Sequence, residues 1–194
     1  MVPGDGHRVP IGDVPVEGGE RLMIMKPIEE RHLPQALHTY NHYVLNTTIS
    51  FHTEALSLEE MRANVMGGDP RYRTYIIEEE GAYVGYALLT RHKNKQAYDT
   101  TAEITIYLDP DHRGKGTGSR AVAALEEKAA GLGFHMLVAT VCTENERSIA
   151  LFERLGYEKC AHFRQVGRKF GRWLDIASYQ KIVGSSVSSQ PKRQ

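Results

Sequence analysis

Hydrophobic side chains recur along the chain at two spacings, which predict strands and helices in alternation. Apolar residues return at every second position in a strand and at every third or fourth position along one face of a helix. Strand-like runs cover residues 22–27, 75–77, 83–90, 101–108, 136–141, 157–166 and 173–182. Helical spacing joins Leu33, Leu37, Tyr40 and Val44, then Met61 and Val65, then Ala121, Val122, Leu125 and Ala129, and finally Leu151 and Leu155.

The resulting order, β-α-α-β-β-β-α-β-α-β-β, predicts an α/β (α+β) fold with a mixed central β-sheet flanked by helices. Successive strands favour antiparallel pairing, whereas a β-α-β unit favours parallel pairing. Ser57-x-x-Glu60 and Thr143-x-x-Glu146 match the capping box that begins a helix, and Glu80-Gly81 predicts a hairpin-like turn. Gly167 and Gly171 are expected to separate the last two strands.

The folded part is expected to be one domain that covers residues 22–183. The chain has 194 residues, of which 41% are hydrophobic and 25% charged, and this suffices for one core of ordinary size. Residues 1–21 are rich in Gly, Pro and acidic side chains without periodicity, and residues 184–194 lack periodicity in the same way. We therefore expect a flexible leader and a flexible tail.

Charge and cysteine content argue against several classes of partner. The 24 basic and 24 acidic side chains balance, so nothing favours a nucleic acid. No apolar stretch is long enough to span a bilayer, and the first residues lack the apolar segment of a secretory signal. Cys142 and Cys160 have neither metal-ligand nor disulfide spacing. We expect a cytoplasmic protein that binds no membrane, nucleic acid or metal.

A glycine-rich turn, His112-Arg113-Gly114-Lys115-Gly116-Thr117-Gly118-Ser119, lies between a predicted strand and a predicted helix. Such a turn leaves backbone N–H groups unpaired, glycine lets a ligand approach closely, and the helix N-terminus adds partial positive charge. The turn therefore suits a phosphate or pyrophosphate. The alternative is a turn that only caps the helix and binds no ligand.

Three phosphate-binding patterns compete for these glycines. The Walker pattern fails because no Gly-Lys-Ser/Thr stands at its spacing. The dinucleotide pattern G-x-G-x-x-G would need glycine at Ser119, and this turn lies in mid-chain rather than after a first strand. The third pattern, Arg/Gln-x-x-Gly-x-Gly/Ala, is satisfied by residues 113–118. Through this motif the chain resembles the GNAT superfamily of N-acetyltransferases, in which the loop holds the pyrophosphate of acetyl-CoA.

The resemblance narrows to the phosphinothricin N-acetyltransferase branch, which includes enzymes that acetylate methionine sulfone and methionine sulfoximine. The similar segments are Tyr40-Asn41-His42-Tyr43, Ser50-Phe51-His52-Thr53-Glu54, residues 97–103 and residues 169–175. It covers residues 23–183 and implies the GNAT fold, in which the fourth and fifth strands splay apart. It also implies a homodimer that acetylates the amine of a small molecule, here the α-amine of a small amino acid.

The same resemblance implies a set of acetyl-CoA contacts along the fourth strand, the glycine turn and the fourth helix. The implied residues are Ile106, Tyr107, Leu108, Arg113, Gly114, Lys115, Gly116, Thr117, Gly118, Ser119, Asn145 and Ser148. The first three contact it through their backbone, where an N–H near Tyr107 or Leu108 would hold the thioester oxygen. Core packing of the strand residues, helix capping by Asn145 and solvation of Lys115 are the structural alternatives.

Transfer of an acetyl group from a thioester to an amine needs a base for the amine proton and a donor for the developing oxyanion. The branch has its catalytic carboxylate in the Thr-Ala-Glu segment, which implies Glu103 as the base. Strand alternation puts Glu103, Thr105 and Tyr107 on one face. The alternative for Glu103 is a solvated carboxylate at the end of a strand.

The resemblance also implies several substrate contacts, and the chain differs from related proteins at one position of the fourth helix. Phe51, Tyr98 and Phe170 are candidates for the wall of the amino-acid pocket, and Lys169 or Arg172 for the contact to its anionic group. Core packing and a solvated loop are the alternatives. The departure is Phe152, which replaces the tyrosine or histidine found near this point in related proteins and cannot donate a proton.

Two other functions stay open at the level of sequence. The acceptor could be a protein N-terminus, a polyamine or an aminoglycoside instead of an amino acid. A non-catalytic module that binds acyl-CoA is the other alternative, and Phe152 is the residue that favours it.

Overall fold

A seven-stranded mixed sheet organises residues 22–184, the part of the chain that the computed structural model describes. Strands β1 to β7 cover Met23–Pro27, Thr74–Glu79, Ala82–Arg91, Thr101–Leu108, Met136–Cys142, Glu158–Lys169 and Arg172–Ile182. Helices α1 to α4 cover Leu33–Asn46, Leu58–Met66, Thr117–Gly131 and Glu146–Arg154. The predicted element order is confirmed. The predicted leader and all but the first residue of the predicted tail lie outside the described residues.

The sheet runs in the order β1-β2-β3-β4-β5-β7-β6, and only β4 and β5 are parallel to each other. Their pairing extends from Thr101 opposite Met136 to Glu103 opposite Val138 and goes no further. Beyond Glu103 the two strands separate, which confirms the predicted splay. The separation leaves a gap in the middle of the sheet, where backbone groups of β4 have no partner strand.

Each face of the sheet is covered by a different pair of helices. On one face α3 and α4 pack against a cluster that includes Ala102 and Ile104. On the other face α1 and α2 pack against Tyr86 and Leu88, with Tyr107 at the edge of that cluster. Adjacent residues of β4 therefore point to opposite faces, as the alternation predicted. Within residues 22–184 no helix combines the length and apolar character that a membrane span requires.

The predicted turn signals of the first half are confirmed. Ser57 Oγ accepts from the Glu60 N–H at 3.3 Å, and the Glu60 carboxylate accepts from the Ser57 N–H at 2.7 Å, which completes the capping box of α2. Glu80 and Gly81 join β2 to β3 with φ angles of 52° and 81°. Two positive φ angles in succession suit the twist of a tight hairpin.

Two predicted element ends in the second half are wrong. Helix α4 begins at Glu146 with Asn145 as its N-cap, so Thr143-x-x-Glu146 is not a capping box. Thr143 instead lies in the turn after β5 and donates from its N–H to the Asp175 carbonyl at 3.0 Å. The last two strands are also longer than expected, because β6 continues through Gly167. Their turn is Phe170-Gly171, with φ angles of 49° and 76°.

Candidate functional site

The glycine-rich turn connects β4 to α3 through a short 3-10 turn, Pro110–His112. Gly114 and Gly116 have φ angles of 80° and 85°, and Gly116 is the N-cap of α3. Glycine adopts this left-handed backbone without the steric penalty that a Cβ would bring. No backbone acceptor among the described residues bonds the N–H of Gly114, Lys115 or Gly116. These groups and the N-terminus of α3 form an arrangement suited to an anion.

The beginning of α3 is held from below by a buried carboxylate. Thr117 is 1% exposed, and its hydroxyl donates to Glu79 at the end of β2 at 2.7 Å. The guanidinium of Arg120 pairs with the same carboxylate, which is 5% exposed. The Thr117 side chain thus points into the protein. Ser119 is also engaged, because its hydroxyl accepts from Arg154 at 2.9 Å.

The two cations of the turn have different surroundings. The Arg113 guanidinium lies over the Tyr43 ring at 5.7 Å and donates to the Pro110 carbonyl at 3.3 Å. Arg113 also lines an open cleft of about 500 Å³. Lys115 is exposed and donates to the Asp111 carbonyl at 2.9 Å. Of the two, Arg113 is the cation that faces the cleft.

Besides Arg113, the cleft is bounded by three segments that are distant in sequence. They are the end of α1 with residues 47–49, the turn between β5 and α4, and the hairpin turn that carries Phe170 and Arg172. Glu144 and Arg172 close one side as a bidentate ion pair, and Thr48 donates to Glu144 at 3.0 Å. Arg172 is therefore engaged with Glu144.

Asn145 and Ser148 meet each other at the edge of this cleft. The Asn145 side-chain oxygen accepts from the Ser148 N–H at 3.2 Å, and its amide nitrogen donates to the Ser148 hydroxyl at 2.7 Å. Helix capping thus accounts for most of what the Asn145 amide can bond. One amide N–H is left to meet a ligand.

The backbone of β4 presents alternate residues to the gap. Opposite residues of antiparallel strands alternate between exchanging both hydrogen bonds and exchanging none. The Asp109 N–H donates to the Val84 carbonyl at 2.9 Å, so Tyr107 lies two residues earlier in the set that bonds to β3. Ile106 and Leu108 consequently direct their N–H groups toward the gap. The Leu108 carbonyl is taken by the Tyr43 hydroxyl, which donates to it.

Glu103 lies where the gap begins, at the last position where β4 pairs with β5. One carboxylate oxygen is 2.9 Å from Nδ1 of His92, and the Glu103 and His92 side chains are 33% and 22% exposed. The ring of Tyr98 meets the edge of the His92 ring, with centroids 5.8 Å apart. The site at Glu103 is therefore a group of three side chains rather than a lone carboxylate.

His92 is the site residue that the sequence analysis missed. Thr90 of β3 lies opposite Glu103, and His92 follows directly after the end of β3, in the position diagonal to Glu103. Diagonal neighbours are within reach of long side chains. The signal that could have found it is the register of β3 against β4, the two strands that residues 92–100 connect.

The predicted substrate residues Phe51, Lys169 and Phe170 contact each other or the segments near them, at residues 50–51 and the β6–β7 hairpin, and not the His92–Glu103 pair. Lys169 is 4% exposed and donates to the Ser50 carbonyl at 2.7 Å. Burial lowers the pKa of Lys169, and its ammonium lies 5.1 Å from the Phe170 ring centre. The Phe51 ring covers Gly167 so closely that a Cβ there would be 2.6 Å from Cδ2 of the ring. Tyr98 is thus the predicted wall residue that shares the surroundings of Glu103.

Phe152 is a core residue in the structure. It is 6% exposed, belongs to the cluster beneath α3 and α4, and meets the Tyr157 ring at a centroid distance of 5.0 Å. Its side chain is used for packing. Among the described residues, no three His, Cys, Asp or Glu side chains are grouped so that they could hold a metal ion.

Comparisons with known proteins agree with this geometry. A family model described as the acetyltransferase (GNAT) family matches residues 37–157. The phosphinothricin N-acetyltransferase of Streptomyces coelicolor is 35% identical over 161 residues, which cover 81% of this chain and 94% of that protein. The L-methionine sulfoximine/L-methionine sulfone acetyltransferase of Salmonella typhimurium is 33% identical over 146 residues, which cover 73% of this chain and 83% of that protein.

A solved structure extends the similarity to three dimensions. The GNAT superfamily phosphinothricin acetyltransferase from Sinorhizobium meliloti, in complex with AcCoA, matches with a TM-score of 0.79 and 30% identity. The match covers 88% of this chain and 93% of that one. The similarity therefore extends over most of both chains.

Proposed function

The chain belongs to the GNAT family of acetyltransferases, and we propose that it transfers the acetyl group of acetyl-CoA to the α-amine of a small amino acid. The proposed acceptors have a tetrahedral polar group at the end of the side chain, as in phosphinothricin, methionine sulfoximine and methionine sulfone. The relatives named for these compounds support this class of acceptor.

The observation that carries the proposal is the arrangement of groups along β4. Glu103 lies where the gap begins, the N–H groups of Ile106 and Leu108 face the gap, and the glycine-rich turn follows the strand. A base, a donor for the oxyanion and a pyrophosphate site are thus ordered along one strand. This order matches the three parts of the reaction, which are the amine, the thioester and the nucleotide end of acetyl-CoA.

We assign acetyl-CoA to the gap and the glycine-rich turn. Its pyrophosphate would accept from the N–H groups of Gly114, Lys115 and Gly116 and from those at the start of α3, with Arg113 supplying charge. Its pantetheine arm would follow the backbone of β4 around Ile106 and Leu108 like an added strand, with the Leu108 N–H facing the thioester oxygen. Asn145 has one remaining amide N–H for the same arm.

The transfer then needs two groups of this chain. Glu103 accepts the proton of the amine, directly or through one water, and the amine nitrogen forms its bond to the thioester carbon. The Leu108 N–H donates to the carbonyl oxygen as negative charge develops there. The carbon–sulfur bond breaks, and the CoA sulfur leaves as a thiolate; its thiol has a pKa of roughly 8.5, so no dedicated acid is needed. The burial of Phe152 in the core is in keeping with such a step.

The acceptor site is proposed on the side of the sheet where Tyr98 adjoins the His92–Glu103 pair. Lys169 is proposed for the anionic group, because its ammonium has two N–H groups beyond the bond to Ser50. Phe51 and Phe170 are proposed as further walls. We also propose a homodimer, in keeping with the exposed apolar side chains of the β6–β7 hairpin.

The release of CoA thiol from acetyl-CoA tests the proposed acceptor class. The panel contains phosphinothricin, methionine sulfoximine and methionine sulfone, with ordinary amino acids, polyamines and a peptide as comparison. Fast release confined to the first three compounds is expected. Thiol release with polyamines or peptides alone would show that the acceptor belongs to that class and not to the amino acids. Binding of CoA without thiol release on any amine would indicate a non-catalytic module.

Glu103→Gln tests the proposed base within the same assay. The amide cannot take a proton, so kcat should fall by about 10²- to 10⁴-fold, the usual contribution of a general base. Isothermal titration should give an almost unchanged affinity for acetyl-CoA. A variant that loses cofactor binding, or that keeps full turnover, would contradict the role of Glu103.

A further inference from the structure

We propose that His92 is the positioning residue of Glu103: it holds one carboxylate oxygen so that the other is directed to the amine. This role rests on the proposed function and extends it, because it names a second residue that acts on the proposed base, Glu103. His92 acts through Glu103 in this proposal and does not itself take the proton from the amine.

The hydrogen bond between the two side chains defines the state of the imidazole. Nδ1 of His92 is 2.9 Å from Oε1 of Glu103. An ionised carboxylate only accepts hydrogen bonds, so the proton of this bond belongs to Nδ1. Oε2 of Glu103 is then the oxygen that can accept a proton from the amine or from an intervening water.

The imidazole is itself held in place on both sides. Its ring meets Tyr98, which lies in a short 3-10 turn, Gln96–Tyr98. The preceding residue, Arg91, donates to Asp99 at 2.5 Å and to Asp69 at 3.3 Å. The segment that carries His92 and Tyr98 is therefore tied at both ends, by Arg91 before it and by Asp99 after it.

This arrangement matters because a glutamate has three rotatable side-chain bonds. A base contributes only when it lies within hydrogen-bond reach of the proton that it removes. Orientation of a reacting group before the reaction lowers the barrier, and misplacement by about 1 Å can cost about a hundredfold in rate. Glu103 is one-third exposed, so the packing around it leaves room for other conformations that the His92 bond disfavours.

Two substitutions of His92 separate the hydrogen bond from the ring. His92→Phe keeps an aromatic ring beside Tyr98 but removes the donor. His92→Asn removes the ring but keeps an amide N–H near the position of Nδ1. His38→Phe is the matched control, since His38 is exposed on α1.

We expect His92→Phe to lower kcat by about 10- to 100-fold, a part of the 10²- to 10⁴-fold that a general base contributes. His92→Asn should recover most of this loss. The KM for acetyl-CoA, the circular dichroism and the Tm should stay close to those of the His38→Phe control. Wild-type kcat in His92→Phe would overturn the proposal. So would an equal loss in His92→Asn with the fold intact, because the imidazole would then be the base.

NMR of the imidazole nitrogens provides a readout that does not depend on turnover. His92 should carry its proton on Nδ1 in the wild-type protein and lose this preference in Glu103→Ala. A proton on Nε2 in the wild-type protein would overturn the pairing. If the wild-type protein released no thiol with any amine, the proposed function and the catalytic role of His92 would both fail. The NMR result would still decide whether His92 donates to Glu103.

Discussion

Glu103 and Lys169 are both charged residues of the proposed site, but their surroundings differ. Glu103 is partly exposed and bonded to a histidine, whereas Lys169 is almost completely buried and donates to the carbonyl of Ser50. A neutral carbonyl offsets only part of the cost of burying a cation. This cost is the physical reason that burial lowers the pKa of Lys169.

Lys169→Met should therefore change how stability depends on pH. Lysine has an ordinary pKa of 10.5, and burial lowers it in the folded chain. Between the lowered and the ordinary pKa the unfolded chain binds more protons, so the free energy of unfolding rises as pH increases through that window. Urea unfolding over about pH 7 to 10 should show a smaller rise for the variant than for wild type, since methionine does not titrate. An equal rise of the free energy of unfolding with pH in the two proteins would contradict a lowered pKa of Lys169.

The element that matters most for the proposed acetyl-CoA site is the beginning of α3. Gly114 and Gly116 allow the chain to turn, but they do not determine where the helix lies. Its beginning is anchored by Glu79 at the end of β2, which bonds to Thr117 and Arg120 of α3. A bond across the sheet–helix interface thus orients the N–H groups proposed for the pyrophosphate.

Thr117→Val and Thr117→Ser test this coupling as a matched pair. Valine is similar in size to threonine but leaves the buried Glu79 without one of its donors, which should lower the free energy of unfolding by about 1–3 kcal/mol. Serine keeps the hydroxyl and should stay closer to wild type. Urea unfolding and isothermal titration of CoA measure the two effects. We expect the valine variant to lose both stability and CoA affinity. Unchanged CoA binding in an otherwise destabilised valine variant would show that Glu79 does not orient the turn.

At the scale of the whole molecule, the β6–β7 hairpin presents exposed apolar side chains. Phe163, Val166 and Trp173 are 50%, 54% and 59% exposed, although large apolar side chains of this kind usually lie inside a protein. The hairpin is also at the edge of the sheet, where unpaired backbone groups favour association. Exposed apolar surface of this kind often marks an interface between protein chains.

We expect the purified protein to be a dimer that associates through this hairpin. Light scattering after size exclusion should give twice the chain mass of 21.8 kDa. Trp173→Glu should shift the protein toward the monomer, because it puts a charge into an apolar contact. Leu22→Glu is the control, since Leu22 is exposed next to β1 at the opposite edge of the sheet. A monomeric wild-type protein, or a Trp173→Glu dimer, would contradict this interface.

Local features of the fold could be predicted from the sequence because their causes are local. The spacing of apolar residues gave every strand and helix its type, and the capping box Ser57-x-x-Glu60 predicted where α2 begins. The fourth helix shows the limit of such motifs. Thr143 and Glu146 have the spacing of a capping box, but Thr143 bonds across to β7 and Asn145 caps the helix instead.

The sequence by itself determined the order of elements, the glycine turn and the position of Glu103 on β4, because each depends on residues that are close along the chain. Only the tertiary structure decided which side chains from distant parts of the chain meet. His92 reaches Glu103 through the β3–β4 register, and Glu79 reaches Thr117 across 38 residues. Such contacts depend on strand register and helix packing, which minimise the free energy of the whole fold, and no local pattern encodes them.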